Sequence, residues 1–324
     1  MKKAKRWICS IVSILILIGC NQKEQLREIR KEEPISLMDM WKETVKQAED
    51  LTSMRNAAIL GLDIQENNQS IFQINYHPQA YKAKFDSWSI FHPYKNQAVT
   101  DTEVLYELFS HIQSAPLKES SKEIDQLYDT ERNIYIAYNH TDNDISQGNP
   151  DQLLKLNLFE DSIGENYVNI VGTDSVYDIP SNLVEELFHI RPFEYVLKIP
   201  ILVQMEKVEH IYIHTDDGEL ILSKKGEQWY FQDDRLDEQV IIDLYTQLLD
   251  ISVAGEVVGT STENNENAEL TIVFYRTDEY PDVEIKYYPF DDEYIRSSVN
   301  GVSNFLVNNK DILRMVEGIR QYNQ

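Results

Sequence analysis

Cysteine is the residue that this sequence lacks most clearly. Its 324 residues include only two, Cys9 and Cys20, and both lie within the first 20 positions. A chain with no later cysteine cannot build a disulfide framework, which excludes the small disulfide-stapled class of secreted proteins. The folded part must therefore rely on an ordinary hydrophobic core, for which the 42% content of hydrophobic residues is sufficient.

Basic residues are scarce relative to acidic ones. The chain has 30 Lys and Arg against 55 Asp and Glu, so its formal net charge is −25 at pH 7. A surface of this sign repels nucleic acid and anionic lipid headgroups. We therefore expect no nucleic-acid partner, and we interpret the charge as a solubility feature in preference to an acidic ligand site.

Motifs for catalysis and cofactor binding are missing as well. The sequence has no Gly-x-Ser-x-Gly elbow, Walker loop, dinucleotide glycine motif or His-Glu-x-x-His helix. Acid pairs such as Asp233–Asp234 are frequent, but in so acidic a chain they do not indicate glycosidase chemistry. The sequence therefore predicts a protein that is not an enzyme and has no cofactor.

Two patterns resemble metal sites and fail on spacing. Asp142, Asp144 and Ser146 begin like a calcium loop, but the sixth and twelfth positions lack the required Gly and acid. His210 and His214 lie in an alternating segment that predicts a strand. On a strand they would share one face about 13 Å apart, at about 3.3 Å per residue, which is too far for one ion. We predict solvent-facing histidines and no metal.

No hydrophobic run is long enough for a comfortable membrane span of roughly 20 residues. The run from Trp7 to Ile18 follows a basic start and has the form of a secretory signal. Its end, Leu17–Ile18–Gly19–Cys20, resembles the lipobox of bacterial lipoproteins. That resemblance implies removal of residues 1–19 and a lipid on Cys20, which would anchor the chain to the extracytoplasmic side of the cell membrane. An uncleaved N-terminal anchor is the alternative.

Two segments separate this anchor from the folded body. Residues 20–35 are polar and charged with no apolar period, which is typical of a tether. Residues 36–57 fit an amphipathic helix that we expect to pack on the body; contact with a partner or a membrane is the alternative. Its apolar stripe consists of Leu37, Trp41, Val45, Ala48 and Leu51.

The remaining chain carries one plan twice, in residues 58–200 and again in residues 201–324. Each copy predicts a hairpin, a strand with a Trp, an amphipathic helix, further strands around a Gly turn and a terminal helix. A repeat of this length is a duplicated domain and not a solenoid unit. Strands that outnumber the helices predict the α+β class, with two tandem related domains, each a mainly antiparallel sheet with two helices.

Trp88 with Trp229 and Asp101 with Asp237 align the two copies. Each Trp is expected on a strand that faces its helix, and each Asp where a negative side chain caps the first helical N–H groups. A capping box that uses Thr100 is the alternative in the first copy. In the hairpins, Ile71–Phe72–Gln73 is matched with Leu220–Ile221–Leu222.

The duplicated units resemble a bacterial family, domain of unknown function 4340. The resemblance covers roughly residues 58–320 and is carried by 86–112 and 167–190 in the first copy and by 226–248 in the second. Members are typically extracytoplasmic and tethered, and some are encoded beside gliding-motility-type ABC transporter components. The resemblance implies an accessory role at the envelope, with an ABC transporter subunit as partner. This chain departs from the family in its lipobox and in the added helix at 36–57.

Taken together, these patterns favour a non-enzymatic envelope lipoprotein that acts as an accessory, scaffold or binding module. A solute-binding lipoprotein with its ligand between the repeats is the first alternative, and an extracellular hydrolase is the second. Phe193–Ile199, between Pro192 and Pro200, is too apolar for a loose linker. We expect it to pack at the junction and to limit hinge motion.

The lipobox generates the first prediction. Cys20→Ala removes the sulfur that accepts the lipid, so incorporation of labelled fatty acid should cease and the protein should leave the membrane fraction. Cys9→Ala, the matched control, should leave both properties unchanged. Fatty acid on the Cys20→Ala protein would show that the anchor lies elsewhere.

Overall fold

The structure is a computed structural model, and it describes residues 57–76, 88–94, 98–140, 152–199, 203–216, 218–231, 233–257, 267–277 and 282–320. The chain divides into two compact units, Met1–Ile35 and Ser36–Gln324, and every described residue belongs to the second. Cys20 and residues 36–56 of the helix predicted at 36–57 lie outside the described residues, and the last residue of that prediction, Ala57, is wrong because it begins a strand.

The first repeat forms an antiparallel sheet with two helices among the described residues. Its elements are β1 (Ala57–Glu66), β2 (Gln69–Tyr76), β3 (Trp88–His92), β4 (Ala98–Val99), α1 (Thr102–Ser114), β5 (Lys118–Glu119), β6 (Tyr128–His140), β7 (Gln152–Glu160), β8 (Asn166–Ile170), β9 (Val176–Asp178) and α2 (Ser181–Phe188). The nine strands lie in the order β4-β3-β2-β1-β6-β7-β8-β9-β5. Asn67 and Asn68 both have positive φ, as the tight turn between β1 and β2 requires.

The second repeat has the same plan. Its elements are β10 (Val208–Thr215), β11 (Gly218–Lys225), β12 (Gln228–Phe231), β13 (Asp234–Arg235), α3 (Glu238–Asp250), β14 (Val253–Glu256), β15 (Leu270–Arg276), β16 (Val283–Pro289), β17 (Tyr294–Val299), β18 (Val302–Asn308) and α4 (Asn309–Arg320). Its strand order is β13-β12-β11-β10-β15-β16-β17-β18-β14. Adding nine to each strand number of the first sheet reproduces this order, so the predicted α+β class with two related antiparallel domains is confirmed.

Strand pairing also tests the alignment of the two copies. Trp88 lies opposite Tyr76, and Trp229 lies opposite Lys224 at the equivalent place in the second sheet. The match within the hairpins was wrong by one residue. Phe72 pairs with Ile64 as Leu220 pairs with Ile213, so Phe72 aligns with Leu220. The apolar neighbours Ile71 and Phe72 blur the two-residue period on which the prediction depended.

Each repeat buries its own core between one face of its sheet and its two helices. The first core includes Leu62 and Ile64 of β1 together with Leu105 of α1 and Leu183 of α2. The second core joins the equivalent strand residues to apolar side chains of α3 and α4. In the first core the Trp88 ring lies 5.2 Å from the Phe109 ring of α1. Each helix is therefore held by tertiary burial of its apolar stripe.

Both predicted helix caps are present. The Asp101 carboxylate accepts hydrogen bonds from the backbone N–H groups of Glu103 at 3.1 Å and Val104 at 3.5 Å. The Asp237 carboxylate accepts one from Gln239 at 3.0 Å. The alternative capping box at Thr100 is wrong, because Asp101 occupies the cap position and Thr100 forms a backbone bridge with Val196.

The two equivalent tryptophans generate the second prediction. Trp88 and Trp229 are 2% and 6% exposed, so truncation of either ring to alanine should lower the free energy of unfolding by about 3–5 kcal/mol. Chemical denaturation measures the change, and Tyr128→Ala, at a ring that is 66% exposed, is the control. Denaturation midpoints equal to wild type for both variants would mean that these rings do not support the cores.

Candidate functional site

Each sheet has an inner face covered by its helices and an outer face on the opposite side. Leu62 and Ile64 of β1 belong to the core beneath α1 and α2. Because successive side chains of a strand point to opposite faces, Asp63 lies on the outer face. Strand pairing extends this face from Asp63 to Gln73 on β2 and to Tyr135 on β6.

The outer face of the first sheet is buried, although both described helices of that repeat pack on the inner face. Asp63 is 1% exposed, Tyr135 is 3% exposed and Ala137 is 1% exposed. In the second sheet Ile213 pairs with Ile272, as Ile64 pairs with Ile134 in the first sheet. Tyr275 follows Ile272 by three residues, as Ala137 follows Ile134, so Tyr275 is the counterpart of Ala137. Tyr275 is 39% exposed. Equivalent positions of the two repeats thus differ sharply in burial.

Polar side chains cross four adjacent strands of this buried surface, which we call the polar face. Its members are Gln73 and Asn75 on β2, Asp63 and Gln65 on β1, Asn133 and Tyr135 on β6, and Lys155 and Asn157 on β7. Several of its buried polar atoms have no hydrogen-bond partner in the described part of the chain. These atoms are Asp63 Oδ1, Gln65 Oε1, Gln73 Nε2, Asn75 Oδ1 and Asn157 Oδ1. A buried polar atom without a hydrogen-bond partner lowers the stability of the folded state by about 1–3 kcal/mol. This face is therefore suited to binding a second surface whose polar groups supply the missing hydrogen bonds.

Burial shifts the pKa values of the titratable side chains on the polar face. Burial raises the pKa of Asp63, while hydrogen bonds from Ser70 and Gln65 oppose the shift; the Gln65 bond, from Nε2 to Asp63 Oδ2, measures 2.7 Å. Burial and the nearby Asp63 carboxylate raise the pKa of Tyr135. Burial lowers the pKa of Lys155, whose Nζ lies 5.2 Å from the centre of the Tyr135 ring. The arrangement is suited to recognising hydrogen-bond donors.

The outer face of the second sheet carries the two histidines singled out in the sequence. Both lie on β10 and on the same face, so the predicted strand is confirmed. His210 Nδ1 is 3.1 Å from Ser223 Oγ. The Tyr212 ring stacks on His214 with 6.3 Å between centroids, and its hydroxyl donates to Glu219 at 2.7 Å. Both histidines lie on the outer face and are half-buried by these neighbours.

Other candidate features within the described ranges lead to no site. Those ranges contain no group of three or more His, Cys, Asp or Glu placed to hold a metal ion. A void of about 10 Å³ lies under the second sheet between Ile211, Leu244 and Met315. It has the size of about one water molecule and an apolar lining, so it does not suit a solute. No helix in the described ranges is long and apolar enough to cross a membrane.

The junction between the repeats is formed by the backbone of Tyr195–Lys198. The Tyr195 carbonyl accepts a hydrogen bond from the Asp101 N–H at 2.8 Å, and the Leu197 N–H donates to the Val99 carbonyl at 2.9 Å. The Lys198 carbonyl accepts a hydrogen bond from the Val253 N–H of β14 at 2.8 Å. This segment is therefore hydrogen-bonded to both repeats.

Aromatic side chains fill the same junction. The Tyr94 ring lies 5.3 Å from that of Phe305, and its hydroxyl donates to Glu256 Oε2 at 2.6 Å, so first-repeat and second-repeat residues are joined directly. Phe193 lies 6.4 Å from the same Phe305 ring, and the Lys198 ammonium lies over the ring of Phe193. Burial lowers the pKa of Lys198, while Glu256 and other acids nearby oppose that shift.

Several residues predicted from the sequence cannot be placed. Cys20 and the loop residues Asp142, Asp144 and Ser146 lie outside the described residues. The polar face, by contrast, was missed by sequence reasoning. Asp63 and Gln65 alternate with buried neighbours, a pattern that ordinarily indicates a solvent-exposed face. The only available signal was the density of amide side chains on neighbouring strands.

Comparison with known proteins adds no relative. No protein-family model, curated protein or solved structure matches this chain. The resemblance to domain of unknown function 4340 therefore stays a prediction from the sequence.

The buried carboxylate of the polar face generates the third prediction. The folded-state pKa of Asp63 lies above its ordinary value of 3.8. The folded state thus binds a proton more tightly than the unfolded chain, and this contribution to stability is lost as the pH rises through the folded-state pKa. Asp63→Asn should raise the thermal midpoint relative to wild type at pH 7, and the difference should shrink as the pH falls towards 4.

Asp216→Asn removes one charge at an exposed position and is the matched control. A lower midpoint for Asp63→Asn at pH 7 would mean that the ionised carboxylate stabilises the fold and is paired by a group beyond the described residues.

Proposed function

We propose that this protein is a non-enzymatic envelope lipoprotein, held outside the cell membrane by a lipid on Cys20, that acts as an accessory or scaffold subunit. The lipobox supports the location, and the absence of known catalytic motifs from the sequence supports the non-enzymatic role. The strongly acidic composition disfavours nucleic acid as a partner.

The junction is the observation that carries the scaffold role. A clamshell solute-binding protein closes by large backbone rotations at a few hinge residues. Here the segment between the repeats is hydrogen-bonded to Val99 and Asp101 on one side and to Val253 on the other. Rotation of one repeat against the other would break these bonds and separate Tyr94 from Phe305. The geometry therefore favours a body of fixed shape over a binder that closes around a ligand.

The proposed partner is an envelope protein, with an ABC transporter subunit as the first candidate. This partner rests on the sequence resemblance to a family whose members include neighbours of such transporters. A fixed two-domain body with a lipid anchor can hold a partner at the membrane surface without any chemistry of its own. A solute-binding role, with the ligand between the repeats, is the competing function that the experiment must exclude.

The fourth prediction tests the fixed junction. Phe305→Ala removes the ring that Tyr94 and Phe193 contact, so the repeats should move apart. Small-angle scattering should show an increased maximum dimension. Phe290→Ala, at a ring that is 50% exposed, removes an equal side chain away from these contacts and should leave the scattering curve unchanged.

Scattering of the wild-type protein with and without envelope solutes separates the two functions. We expect an unchanged shape with sugars, amino acids and short peptides, and a stable complex with a transporter subunit encoded beside this protein. Marked compaction on addition of a small solute would overturn the scaffold role and favour solute binding.

A further inference from the structure

Five of the eight side chains of the polar face are buried and the other three are half-buried, yet both described α-helices of this repeat lie on the opposite face. Both α1 and α2 pack on the inner face of the first sheet. Equivalent outer positions of the second sheet are more exposed, and Ile221, the counterpart of Gln73, is 51% exposed. We propose that residues 36–56 form an amphipathic helix that docks on the polar face.

Chain connectivity restricts where this segment can go. It ends at Asn56, immediately before β1 begins at Ala57. β1 lies in the interior of the sheet, between β2 and β6. A helix that leads directly into an interior strand packs on one of the two sheet faces, and α1 and α2 already occupy the inner one. The outer face is the one that remains.

The dimensions of the segment match the surface. A helix of about 20 residues is about 30 Å long. Strands lie about 4.8 Å apart, so such a helix spans about six of them. The polar face extends over the four strands from β2 to β7, which this length covers.

The chemistry of the segment also matches the surface. Its apolar stripe includes Trp41 and Val45, and the outer face offers Ala137 and Leu153, which are buried outside the main core. The buried amide oxygens of Gln65, Asn75 and Asn157 have no donor within the described ranges. Four side chains of the segment donate hydrogen bonds from nitrogen. They are the indole of Trp41 and the positively charged groups of Lys42, Lys46 and Arg55.

The second repeat has no equivalent segment. The chain that precedes β10 is the linker, which bonds to Val99 and Val253 and then forms the short helix Met205–Lys207. It passes directly into β10 without the length for a helix that crosses the sheet. Loss of the cover in the second copy explains why Ile221 and Tyr275 are exposed.

Docking sets the reach of the anchor. With residues 36–56 fixed to the body, only residues 21–35 separate that body from Cys20. This consequence rests on the proposed lipid on Cys20, whereas docking itself does not.

Cysteine cross-linking tests the docking in the full chain, with Cys9→Ala and Cys20→Ala removing the native thiols. Trp41→Cys, Val45→Cys and Ala48→Cys are each combined with Ala137→Cys on the polar face. A short bifunctional maleimide should join at least one pair within a single chain. The matched control pairs use Tyr275→Cys, the exposed equivalent in the second sheet, and should cross-link at least fivefold less.

Each outcome of the cross-linking decides the proposal. Cross-links to position 137 within one chain support it. Cross-links at position 137 between two chains assign the face to the segment of a second copy and overturn intramolecular docking. Equal or greater cross-linking to position 275, or none to position 137 from any of the three positions, also overturns it.

Thiol accessibility gives a second measurement. Trp41→Asp with Val45→Asp should release the segment and raise maleimide labelling of Ala137→Cys at least tenfold, while Ile136→Cys on the inner face stays protected. Unchanged protection of Ala137→Cys in this variant would contradict docking by residues 36–56. Labelling at both positions would mean that the first repeat has unfolded, and the cross-linking result then decides.

Because neither readout requires the lipid or a partner, their failure is distinct from failure of the lipoprotein function. Loss of membrane attachment in Cys20→Ala, with unchanged cross-linking, would separate the two proposals in the opposite direction.

Discussion

The hydrogen-bonded backbone of Tyr195–Lys198 is the constraint on which the two-domain arrangement depends. Its first carbonyl accepts from Asp101, the residue whose side chain also caps α1, and its last carbonyl accepts from Val253 at the edge of the second sheet. These four consecutive residues thereby hold the start of α1 and one edge strand of each sheet. A linker with this many backbone bonds is a structural element, because rotation would leave buried polar groups without partners.

The two repeats have similar apolar residues on the inner faces of their sheets and different residues on the outer faces. The inner face of each sheet must bury two amphipathic helices, and Leu62 and Ile64 correspond to Ile211 and Ile213. The outer faces share no such requirement. Asp63 in the first sheet corresponds to Tyr212 in the second, and only the first is almost completely buried. The two copies are thus alike in architecture and differ in the surface of their outer faces.

The proposed scaffold function and the proposed docking are consistent physically. A fixed junction keeps both outer faces in a constant relation, and a docked N-terminal segment would cover one of them. The open outer face of the second sheet, with Tyr275 and Ile221 exposed, would then be the surface left for other proteins. The acidic composition would limit such contacts to partners that tolerate or complement negative charge.

The amino-acid sequence by itself determined the local elements and the duplication. Periodicity predicted an amphipathic helix and a terminal helix in each copy, and Asp101 and Asp237 marked where two of them begin, because caps and amphipathic stripes are local properties. It did not predict the two-residue strands at the sheet edges, such as β4 and β13, which are too short for a two-residue period to register. It also missed the polar face. Alternation of Asp63 with Leu62 and Ile64 reports which side of a sheet a residue occupies, but what covers that side depends on segments distant in sequence. Only the tertiary structure decided that this carboxylate is buried.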